Sequence, residues 1–346
     1  MLRFCIVGAG FIGGVHAQAL AAIPETKLTV VCSRNEARGR ALAEPAGAMW
    51  LADYRQAVTQ PEVDVVCICT PSGTHADIAE AAAQAGKHLV VEKPLEVTLA
   101  QVDRIIAAAE KAGVKLTGIF PLRFMQGPAL AKQALAAGRL GRLTLADAYI
   151  KWYRDQAYYE SSEWKGTWAL DGGGALMNQA IHTIDLLNYL AGPVTRLVAR
   201  TATLAHQMET EDTAAALLTF GQGGLGTIEA STASWPGDTG RVELHGDRGT
   251  IALEDGRIVT WQLQDAPPGE ADRMLNLEGR QGGGAAAATG IGPELHRRQL
   301  VDMIEAIRHD RSPAITGAEA RRSVAIIRAI YESHAQQKWI ELDTIL

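Results

Sequence analysis

The N-terminal stretch MLRFCIVGAGFIGG, residues 1–14, predicts the fold of the first part of the chain. An apolar run from Leu2 to Val7 predicts a buried strand, and glycines spaced G-x-G-x-x-G follow it directly, ahead of a helix-compatible segment. Such glycines permit a tight turn, a close approach of backbone to phosphate and close packing of helix on strand. The unpaired N–H groups of the helix N-terminus then suit a dinucleotide pyrophosphate. The predicted cofactor contacts in this turn are Gly8, Gly10, Phe11, Ile12 and Gly13.

The composition indicates an ordinary globular protein with two domains. The chain has 346 residues, of which 47% are hydrophobic and 21% charged, and its formal net charge is −6. The negative charge argues against nucleic-acid binding. No apolar run approaches the roughly 20 residues that span a bilayer, and the first apolar stretch reads as a strand rather than a signal peptide. We therefore expect a cytoplasmic enzyme that binds no membrane. The cysteines, predicted to be buried and inert, are Cys5, Cys32, Cys67 and Cys69.

Residues 1–120 alternate short apolar runs with alanine-rich helical segments. Continuous apolar strands are typical of parallel sheets that are buried on both faces, and their alternation with helices predicts an α/β Rossmann domain with a doubly wound sheet. Ligands of such a sheet bind beyond the carboxyl ends of its strands. The predicted strands are 2–7, 28–32, 63–70, 88–92 and 114–120, and the predicted helices are 14–22, 36–44, 74–85 and 98–112.

After residue 120 the pattern becomes that of an α+β domain, which we predict over 121–346. A long helical segment is followed by a series of strand-like runs with glycine turns, which predicts a large open sheet, mixed or antiparallel. The low-complexity stretch 279–292 predicts a mobile loop. The predicted strands are 142–153, 195–205, 213–220, 224–233, 240–246, 249–254 and 257–263, and the predicted helices are 128–137, 174–191, 294–309 and 317–337.

The end of the second predicted strand reads Cys32-Ser33-Arg34-Asn35, where an acidic residue would bind the ribose hydroxyls of NAD. Without that carboxylate, Ser33 and Arg34 could hold a 2′-phosphate, with Arg38 one turn later. We therefore favour NADP(H) as the cofactor. NAD(H) remains possible if Arg34 is only an exposed loop residue.

The strand at 63–70 runs into the segment TPSGTH, residues 70–75. We expect Thr70, Pro71 and Ser72 to line the path from the pyrophosphate to the nicotinamide. Thr74 fits the N-cap of the following helix. His75, in the first turn of that helix, either contacts the cofactor or faces solvent.

A charged pair, Glu92-Lys93, closes the apolar strand at 88–92 on the edge of the sheet where ligands bind. Lys93 could hydrogen-bond a substrate hydroxyl or polarise a carbonyl there. Pro94 restricts Lys93 to extended backbone, which holds its side chain in place. We predict Lys93 as a catalytic residue and both Glu92 and Lys93 as cofactor contacts. The competing interpretation is a surface ion pair that contributes little.

The segment GGGALMNQAIHTID, residues 172–185, predicts a helix with a polar stripe on an otherwise apolar surface. At about 3.6 residues per turn, Asn178, His182 and Asp185 fall within roughly 60° of one another. A buried polar stripe is costly unless its groups are satisfied, so it indicates a site or a hydrogen-bonded network. We predict His182 as a general acid/base, with Asn178 and Asp185 binding substrate. No metal is expected, because a metal site would need more ligands nearby.

Aromatic residues concentrate just before this helix: three of the seven Trp and three of the seven Tyr lie within 152–168. Aromatic faces with polar tips, together with arginine, suit sugar recognition. A core or subunit contact is the alternative for any one of them. The residues predicted to line the substrate pocket are Arg154, Tyr158, Tyr159 and Trp164.

Taken in chain order, the glycine motif, Glu92-Lys93-Pro94 and the segment around His182 resemble the Gfo/Idh/MocA oxidoreductases, which include glucose–fructose oxidoreductase and inositol dehydrogenase. The resemblance covers essentially the whole chain. It implies a Rossmann domain and an α+β domain whose open sheet often forms homodimers or homotetramers. It also implies that Lys93 orders the reacting hydroxyl and that His182 is the catalytic acid/base.

Asn178 departs from many members of that family, which carry aspartate four residues before the histidine. An amide cannot take up a proton, so Asn178 can orient substrate but cannot relay charge, which argues against simple inositol chemistry. The segment Leu176-Met177-Asn178-Gln179 is more similar to a branch with sugar 3-dehydrogenases that act on pyranosides and nucleotide sugars.

The resemblance implies an NAD(P)-dependent dehydrogenase that moves hydride between the nicotinamide and a secondary alcohol of a sugar, with C3 as a candidate carbon. One alternative is a glycosidase that retains NAD and oxidises its substrate transiently, without net cofactor turnover. Another is a sensor that binds the cofactor without catalysis.

Overall fold

The computed structural model describes residues 1–277 and 292–342, which form two compact units. The first unit contains Met1–Pro121 and Ile291–Arg321, and the second contains Leu122–Gly290 and Arg322–Leu346. The sequence assigns everything after residue 120 to a second domain, whereas the structure returns the segment ending at Arg321 to the first unit. The loop predicted at 279–292 lies, apart from Gly292, outside the described residues.

The described residues form fourteen strands and eleven α-helices. The strands are β1 (Leu2–Val7), β2 (Thr26–Cys32), β3 (Met49–Leu51), β4 (Val65–Ile68), β5 (His88–Val91), β6 (Leu116–Gly118), β7 (Leu143–Lys151), β8 (Val194–Ala202), β9 (Thr213–Phe220), β10 (Leu225–Ser231), β11 (Gly240–Gly246), β12 (Gly249–Glu254), β13 (Arg257–Leu263) and β14 (Ile340–Glu341). The helices are α1 (Phe11–Ala21), α2 (Glu36–Ala43), α3 (Tyr54–Val58), α4 (His75–Gln84), α5 (Leu99–Ala112), α6 (Gln126–Ala136), α7 (Gln156–Glu160), α8 (Ile181–Ala191), α9 (Glu270–Leu275), α10 (Pro293–Arg308) and α11 (Gly317–Gln336). No helix in this part of the chain is both long and apolar enough to cross a membrane.

The first unit is built on a six-stranded parallel sheet in the order β3-β2-β1-β4-β5-β6. The order reverses direction between β1 and β4, where doubly wound sheets bind their ligands. Every residue of β4 is buried, as expected of a central parallel strand. The predicted Rossmann architecture is confirmed. The short elements β3 and α3 were not predicted, because three to five residues show no usable periodicity.

Helix α10 completes the core of the first unit from far downstream in the chain. Leu300, Met303 and Ile304 are at most 2% exposed and pack in the same cluster as Phe4 and Ile6 of β1. The helix also lies against α1. Burying each such side chain contributes about 1.5–3 kcal/mol. The first unit therefore depends on a segment that the sequence assigns to the second domain.

The second unit is built on an eight-stranded sheet in the order β13-β12-β11-β7-β10-β9-β8-β14. The pair β7–β10 is parallel and the other pairs are antiparallel, so the predicted open mixed sheet is confirmed. Helix α8 packs against β7 and β11. Leu145, Leu217 and Leu225 share one face of the sheet and are 40%, 41% and 49% exposed.

The four cysteines are free and buried within or just after the strands of the first sheet. Burial raises the pKa of the Cys5, Cys67 and Cys69 thiols well above the ordinary value, and that of Cys32 to about 11. A protonated, enclosed thiol is a poor nucleophile. The cysteines therefore act as small apolar core residues, as the sequence predicts.

Candidate functional site

The glycines of the N-terminal motif are required by close approaches within the turn. Gly8 has a φ of +111°, and a Cβ there would lie 2.4 Å from the carbonyl oxygen of Cys69. A Cβ on Gly13 would lie 2.1 Å from the Gly8 oxygen, so α1 packs directly on the turn. A Cβ on Gly10 would meet no atom within 4 Å, which leaves open space before the helix. The turn has the form of a phosphate cradle.

Helix α1 presents its first N–H groups to this space. Its N-cap is Gly10, and no side chain among the described residues caps it. Phe11 is exposed and Ile12 is half-buried. Unpaired N–H groups and the positive end of the helix dipole favour an anion. A dinucleotide pyrophosphate therefore fits this turn.

Two arginines follow the carboxyl end of β2: Arg34 in the loop after the strand and Arg38 in the first turn of α2. Arg34 and Arg38 are exposed, and Ser33 is half-buried. The Ser33 hydroxyl donates to the Asn35 carbonyl at 3.1 Å, and the Asn35 side chain caps α2 by accepting the Arg38 N–H at 3.0 Å. The loop is thus fixed by its own hydrogen bonds, and both guanidinium groups remain accessible to a 2′-phosphate.

The segment after β4 forms a short 3₁₀ turn that leads into α4. The Thr74 hydroxyl does not cap α4; it donates to the Pro71 carbonyl at 2.7 Å and to Thr70 Oγ1 at 2.8 Å. Thr70 and Pro71 are half-buried, whereas Ser72 is 6% exposed. The cofactor roles of these three residues stay predictions.

His75 is fully buried, which contradicts both alternatives that the sequence leaves open for it. Its Nε2 lies 3.0 Å from the carbonyl oxygen of Thr70, and its Nδ1 lies 3.1 Å from that of Pro94. Burial lowers the pKa of His75, although these hydrogen bonds oppose the shift. The ring joins the turn after β4 to the segment after β5, so its role is structural rather than cofactor binding.

Glu92, predicted as a cofactor contact or half of a surface ion pair, is buried between two histidines instead. Its Oε1 lies 2.8 Å from His16 Nε2 and 3.6 Å from His296 Nε2. Burial alone would raise the pKa of Glu92, but the hydrogen bonds and charge of the two imidazoles hold it well below its ordinary value. An ionised carboxylate therefore joins α1 and α10 to the end of β5.

Lys93 is half-buried at the carboxyl end of β5, where a doubly wound sheet binds its ligands. Its backbone N–H donates to Glu92 Oε2 at 3.1 Å, and its peptide bond to Pro94 is cis. The backbone that carries the ammonium group is thus held by a buried carboxylate.

The segment that carries Asn178 and His182 is not one uniform α-helix. Residues Ala175–Ala180 form a π-helical turn, and α8 begins only at Ile181. Such turns are rare, and they occur frequently at functional sites. The turn lies within the stripe predicted from α-helical periodicity, and that stripe does not extend to Asp185. Asn178 and His182 are half-buried, whereas Asp185 is buried among other partners.

Asp185 is enclosed in an ion pair, which contradicts its predicted contact with substrate. Its two carboxylate oxygens each accept a guanidinium N–H of Arg123 at 2.7 Å, and Oδ1 also accepts the Ser323 hydroxyl at 3.0 Å. The side chains of Asp185 and Arg123 are 1% and 5% exposed. A bidentate pair at this depth fixes α8 in the unit and leaves no face for a ligand.

Asn178, Arg154 and Tyr158 meet through Gln179. The Gln179 amide nitrogen donates to the Tyr158 hydroxyl at 2.7 Å and to Asn178 Oδ1 at 3.3 Å, and its oxygen accepts Arg154 at 3.1 Å. The Asn178 amide nitrogen donates to Asp171 Oδ1 at 2.7 Å. Burial raises the pKa of Tyr158, so its phenol stays neutral. The structure thus brings together three of the residues predicted to bind substrate.

Tyr159 lies in the core rather than on a pocket wall. It is 5% exposed, its hydroxyl lies 2.7 Å from Thr232 Oγ1, and burial raises its pKa. These contacts favour a core role for Tyr159, and its predicted contact with substrate stays a prediction. Trp164 is half-buried, and its predicted contact with substrate stays a prediction.

Three polar residues of this region were missed in the sequence. Asp171 and Gln179 hydrogen-bond Asn178, and Glu211 accepts backbone N–H groups at the start of the π-helical turn. Asp171 and Gln179 flank the predicted polar segment and could have been found by proximity. Glu211 lies 37 residues from Gly174, beyond the reach of any helical pattern.

Two groups of described residues have ligand atoms close enough together for a metal ion: His16, Glu92 and His296, and Asp147, Glu243 and His245. In the first group both imidazoles already pair with the carboxylate. In the second, Arg241 pairs with Glu243, and the Thr227 hydroxyl donates to Asp147 at 2.6 Å. These contacts satisfy the carboxylates without a metal.

Known proteins match this chain over both of its predicted domains. Residues 2–120 match the model of an oxidoreductase family with an NAD-binding Rossmann fold, and residues 129–252 match the GFO/IDH/MocA C-terminal domain. The crystal structure of the WlbA dehydrogenase from Bordetella pertussis, in complex with NADH and UDP-GlcNAcA, is 32% identical, with a TM-score of 0.88 over 99% of this chain and 98% of that one.

Two curated enzymes match over almost their full lengths. Levoglucosan dehydrogenase from Pseudarthrobacter phenanthrenivorans is 27% identical over 99% of each chain, and myo-inositol 2-dehydrogenase from Thermotoga maritima is 26% identical over 100% of each. The family resemblance of the sequence motifs is confirmed by these matches. The chain therefore belongs to the GFO/IDH/MocA family of NAD-binding oxidoreductases.

Proposed function

We propose that the protein is an NAD(P)-dependent dehydrogenase that transfers hydride between the nicotinamide and a secondary alcohol of a sugar or nucleotide sugar. The observation that carries the proposal is the match over 99% of the chain to a dehydrogenase crystallised with NADH and UDP-GlcNAcA. The phosphate cradle at Gly10 and the polar network around Asn178 support it. The relatives reported above are described as dehydrogenases and none as a glycosidase.

In this proposal His182 and Lys93 act on one substrate hydroxyl. His182 accepts the hydroxyl proton as general base, and Lys93 donates a hydrogen bond to the same oxygen and stabilises its developing negative charge. Asn178, held by Asp171, binds a neighbouring hydroxyl without taking a proton. When bound, NAD(P)⁺ supplies the hydride acceptor, so the alcohol becomes a ketone once its proton has been removed.

The test is the near-ultraviolet absorbance of reduced nicotinamide, followed with both cofactors and a panel of pyranosides, inositols, sugar acids and UDP-sugars. On the substrate found, His182→Ala and Lys93→Ala should each lower kcat by about a hundred- to ten-thousandfold and still bind cofactor. The matched controls are the exposed residues His309 and Lys111, each changed to alanine. Turnover near that of the wild type in both site variants would overturn these roles.

We propose NADP(H) as the preferred cofactor, with NAD(H) also accepted. The support is the loop after β2, which has Ser33 and Arg34 where an acidic residue would favour NAD. The measurement is kcat/KM for each cofactor. Arg34→Ala should lower it about tenfold for NADP⁺ and little for NAD⁺, whereas Arg55→Ala, at another exposed arginine, should change neither. A wild-type preference for NAD⁺ would contradict the assignment.

We also propose a homodimer or homotetramer that forms through the exposed face of the eight-stranded sheet. Leu145, Leu217 and Leu225 are neighbours on that face, and a contiguous exposed apolar patch marks an interaction surface. Light scattering after size exclusion should give a multiple of the chain mass. Leu217→Glu should lower that multiple, and Leu275→Glu on α9 should leave it unchanged.

A further inference from the structure

Glu211, which precedes β9, holds the start of the helical segment that carries Asn178 and His182. Its Oε2 accepts the N–H of Gly174 at 3.1 Å, and its Oε1 accepts the N–H of Leu176 at 2.8 Å. Its backbone carbonyl accepts the N–H of Ala175 at 2.9 Å. The first N–H groups of a helix have no partner within the helix. Here three consecutive ones all donate hydrogen bonds to one residue, Glu211.

The backbone of this segment packs closely against Glu211 and Tyr331. A Cβ on Gly174 would lie 2.0 Å from the carbonyl oxygen of Glu211, and one on Gly173 would lie 2.0 Å from the Tyr331 hydroxyl. That hydroxyl donates to Glu211 Oε1 at 3.0 Å. Because Gly173 and Gly174 have no side chains, Glu211 and Tyr331 have room to contact the backbone at the start of the helical segment.

Glu211 changes charge in the neutral range. Burial raises its pKa to about 7, against the hydrogen bonds of the two N–H groups and Tyr331. The other titratable or charged groups around Glu211 and Tyr331 are Arg328, Tyr159 and Asp171. Burial raises the pKa of Tyr159 and of Tyr331, so both phenols remain neutral. A carboxylate at the positive end of a helix binds its N–H groups more strongly than the neutral acid does.

The anchored turn lies directly ahead of the candidate catalytic groups. The π-helical turn contains Leu176 and Asn178 and continues without a break into α8, where His182 is the second residue. The placement of the first turn therefore sets the placement of the imidazole. A misplacement of about 1 Å at a reacting group can cost a hundredfold in rate.

We propose that Glu211, together with Tyr331, is a positioning residue for the dehydrogenase reaction: it anchors the helix that carries Asn178 and His182 and so fixes the imidazole against the reacting hydroxyl. This inference rests on the proposed function. Turnover should then depend on the ionisation of Glu211, because the ionised carboxylate anchors the helix more firmly than the neutral acid does.

Glu211→Gln tests the anchor with little change in side-chain size. The NH₂ group of the glutamine would face one of the backbone N–H donors and cannot accept a hydrogen bond from it. We expect kcat to fall about ten- to a hundredfold, the KM for the cofactor to stay unchanged, and an inflection near neutral pH in the wild-type kcat profile to disappear. In the wild type the Tyr331 hydroxyl lowers the pKa of Glu211. Its loss in Tyr331→Phe should therefore raise that pKa and move the inflection to higher pH. Glu160→Gln, at an exposed position on α7, is the control. A variant that is only less stable, with kcat and its pH profile unchanged, would overturn the proposal.

Amide hydrogen exchange tests the anchor without reference to turnover. In Glu211→Gln, exchange at Gly174 or Leu176 should rise about tenfold or more, because one of these amides loses the hydrogen bond that protects it. Exchange in Glu160→Gln should match the wild type. If the wild type oxidises no sugar, the proposed function fails while exchange still decides the anchor. Equal exchange in Glu211→Gln and the wild type would refute the anchor whatever the activity.

Discussion

Glu92 in the first unit and Glu211 in the second are both buried carboxylates beside a candidate catalytic segment, yet their pKa values shift in opposite directions. They are 5% and 3% exposed; Glu92 accepts the backbone N–H of Lys93, and Glu211 accepts those of Gly174 and Leu176. Glu92 faces the imidazoles of His16 and His296, whereas Glu211 faces N–H groups and the Tyr331 hydroxyl.

The charge of a buried carboxylate is thus set by its partners. Partners that can carry positive charge outweigh desolvation, whereas neutral donors only reduce its effect. Glu92 therefore remains ionised through the neutral range and fixes the backbone of Lys93 at any working pH. Glu211 titrates within that range, so its hold on the helix of His182 varies with pH.

The largest effect is expected for Glu92→Gln, which removes the negative charge between two imidazoles. Breaking a buried charge pair by removing one partner costs about 3–5 kcal/mol. Urea denaturation at neutral pH should show that loss in the free energy of unfolding. The matched control is Glu110→Gln at an exposed position of α5, which should change it by less than about 0.5 kcal/mol. Equal results for the two variants would contradict the ion-paired description of Glu92.

The pH dependence of unfolding should have opposite signs for the two glutamates. The folded pKa of Glu211 lies above its ordinary value of 4.5, so its ionisation costs stability as pH rises from 4.5 to about 7, by about 3 kcal/mol in total. The folded pKa of Glu92 lies below that value, so its contribution is present above pH 4.5 and is lost as pH falls through the folded pKa.

The measurement is the difference in unfolding free energy between the wild type and each Gln variant as a function of pH. For Glu211→Gln the advantage of the wild type should shrink as pH rises from 4.5 to 7. For Glu92→Gln it should shrink as pH falls below 4.5. Curves of the same sign would show that partner charge does not separate the two sites.

A smaller effect is expected for Tyr331→Phe, which removes one hydrogen bond from Glu211 and keeps the ring. The loss should be about 1 kcal/mol in the free energy of unfolding. Tyr153→Phe, which keeps its ring contact with Trp235, is the comparison variant. A Tyr331→Phe protein as stable as the wild type would mean that its hydroxyl does not support the buried carboxylate.

The smallest effect is expected at Glu294, whose pKa is lowered to about 2 by hydrogen bonds from Arg297 and Arg298. The shift has the same direction as that of Glu92, but these side chains are between about a third and a half exposed, and solvent screens their attraction. Glu294→Gln should cost less than about 1 kcal/mol, and less still in high salt. A loss as large as that of Glu92→Gln would refute the role assigned to burial.

Much of the fold followed from local signals in the sequence. Strands β1, β9, β11, β12 and β13 have the predicted bounds, because each is a run of strand-forming residues delimited by glycine or turn residues. The phosphate cradle was predictable for the same reason, since strand, glycines and helix are contiguous. The candidate residues Lys93 and His182 came from motif context rather than from any property visible at a single position.

The network behind those residues was not predictable from local pattern. Glu92 meets His16 across 76 residues, and Glu211 meets Gly174 across 37. The polar stripe through Asp185 was predicted from the periodicity of a uniform α-helix, whereas the structure has a π-helical turn at Ala175–Ala180. Burial of His75 and Tyr159 likewise depends on elements distant in sequence. A periodicity identifies a face but not the partner that covers it.

Helix α10 gives the first unit an order of assembly that its sheet does not reveal. About 170 residues separate the last strand of that sheet from the helix that covers its apolar core. At a synthesis rate of roughly 5–20 residues per second, the ribosome needs about 10–35 s to deliver it. Throughout that interval the nascent first unit exposes the surface that Leu300 and Ile304 will cover. A chain ended after residue 121 should accordingly bind a hydrophobic dye that the full chain does not, which makes this stage a natural point for chaperone contact.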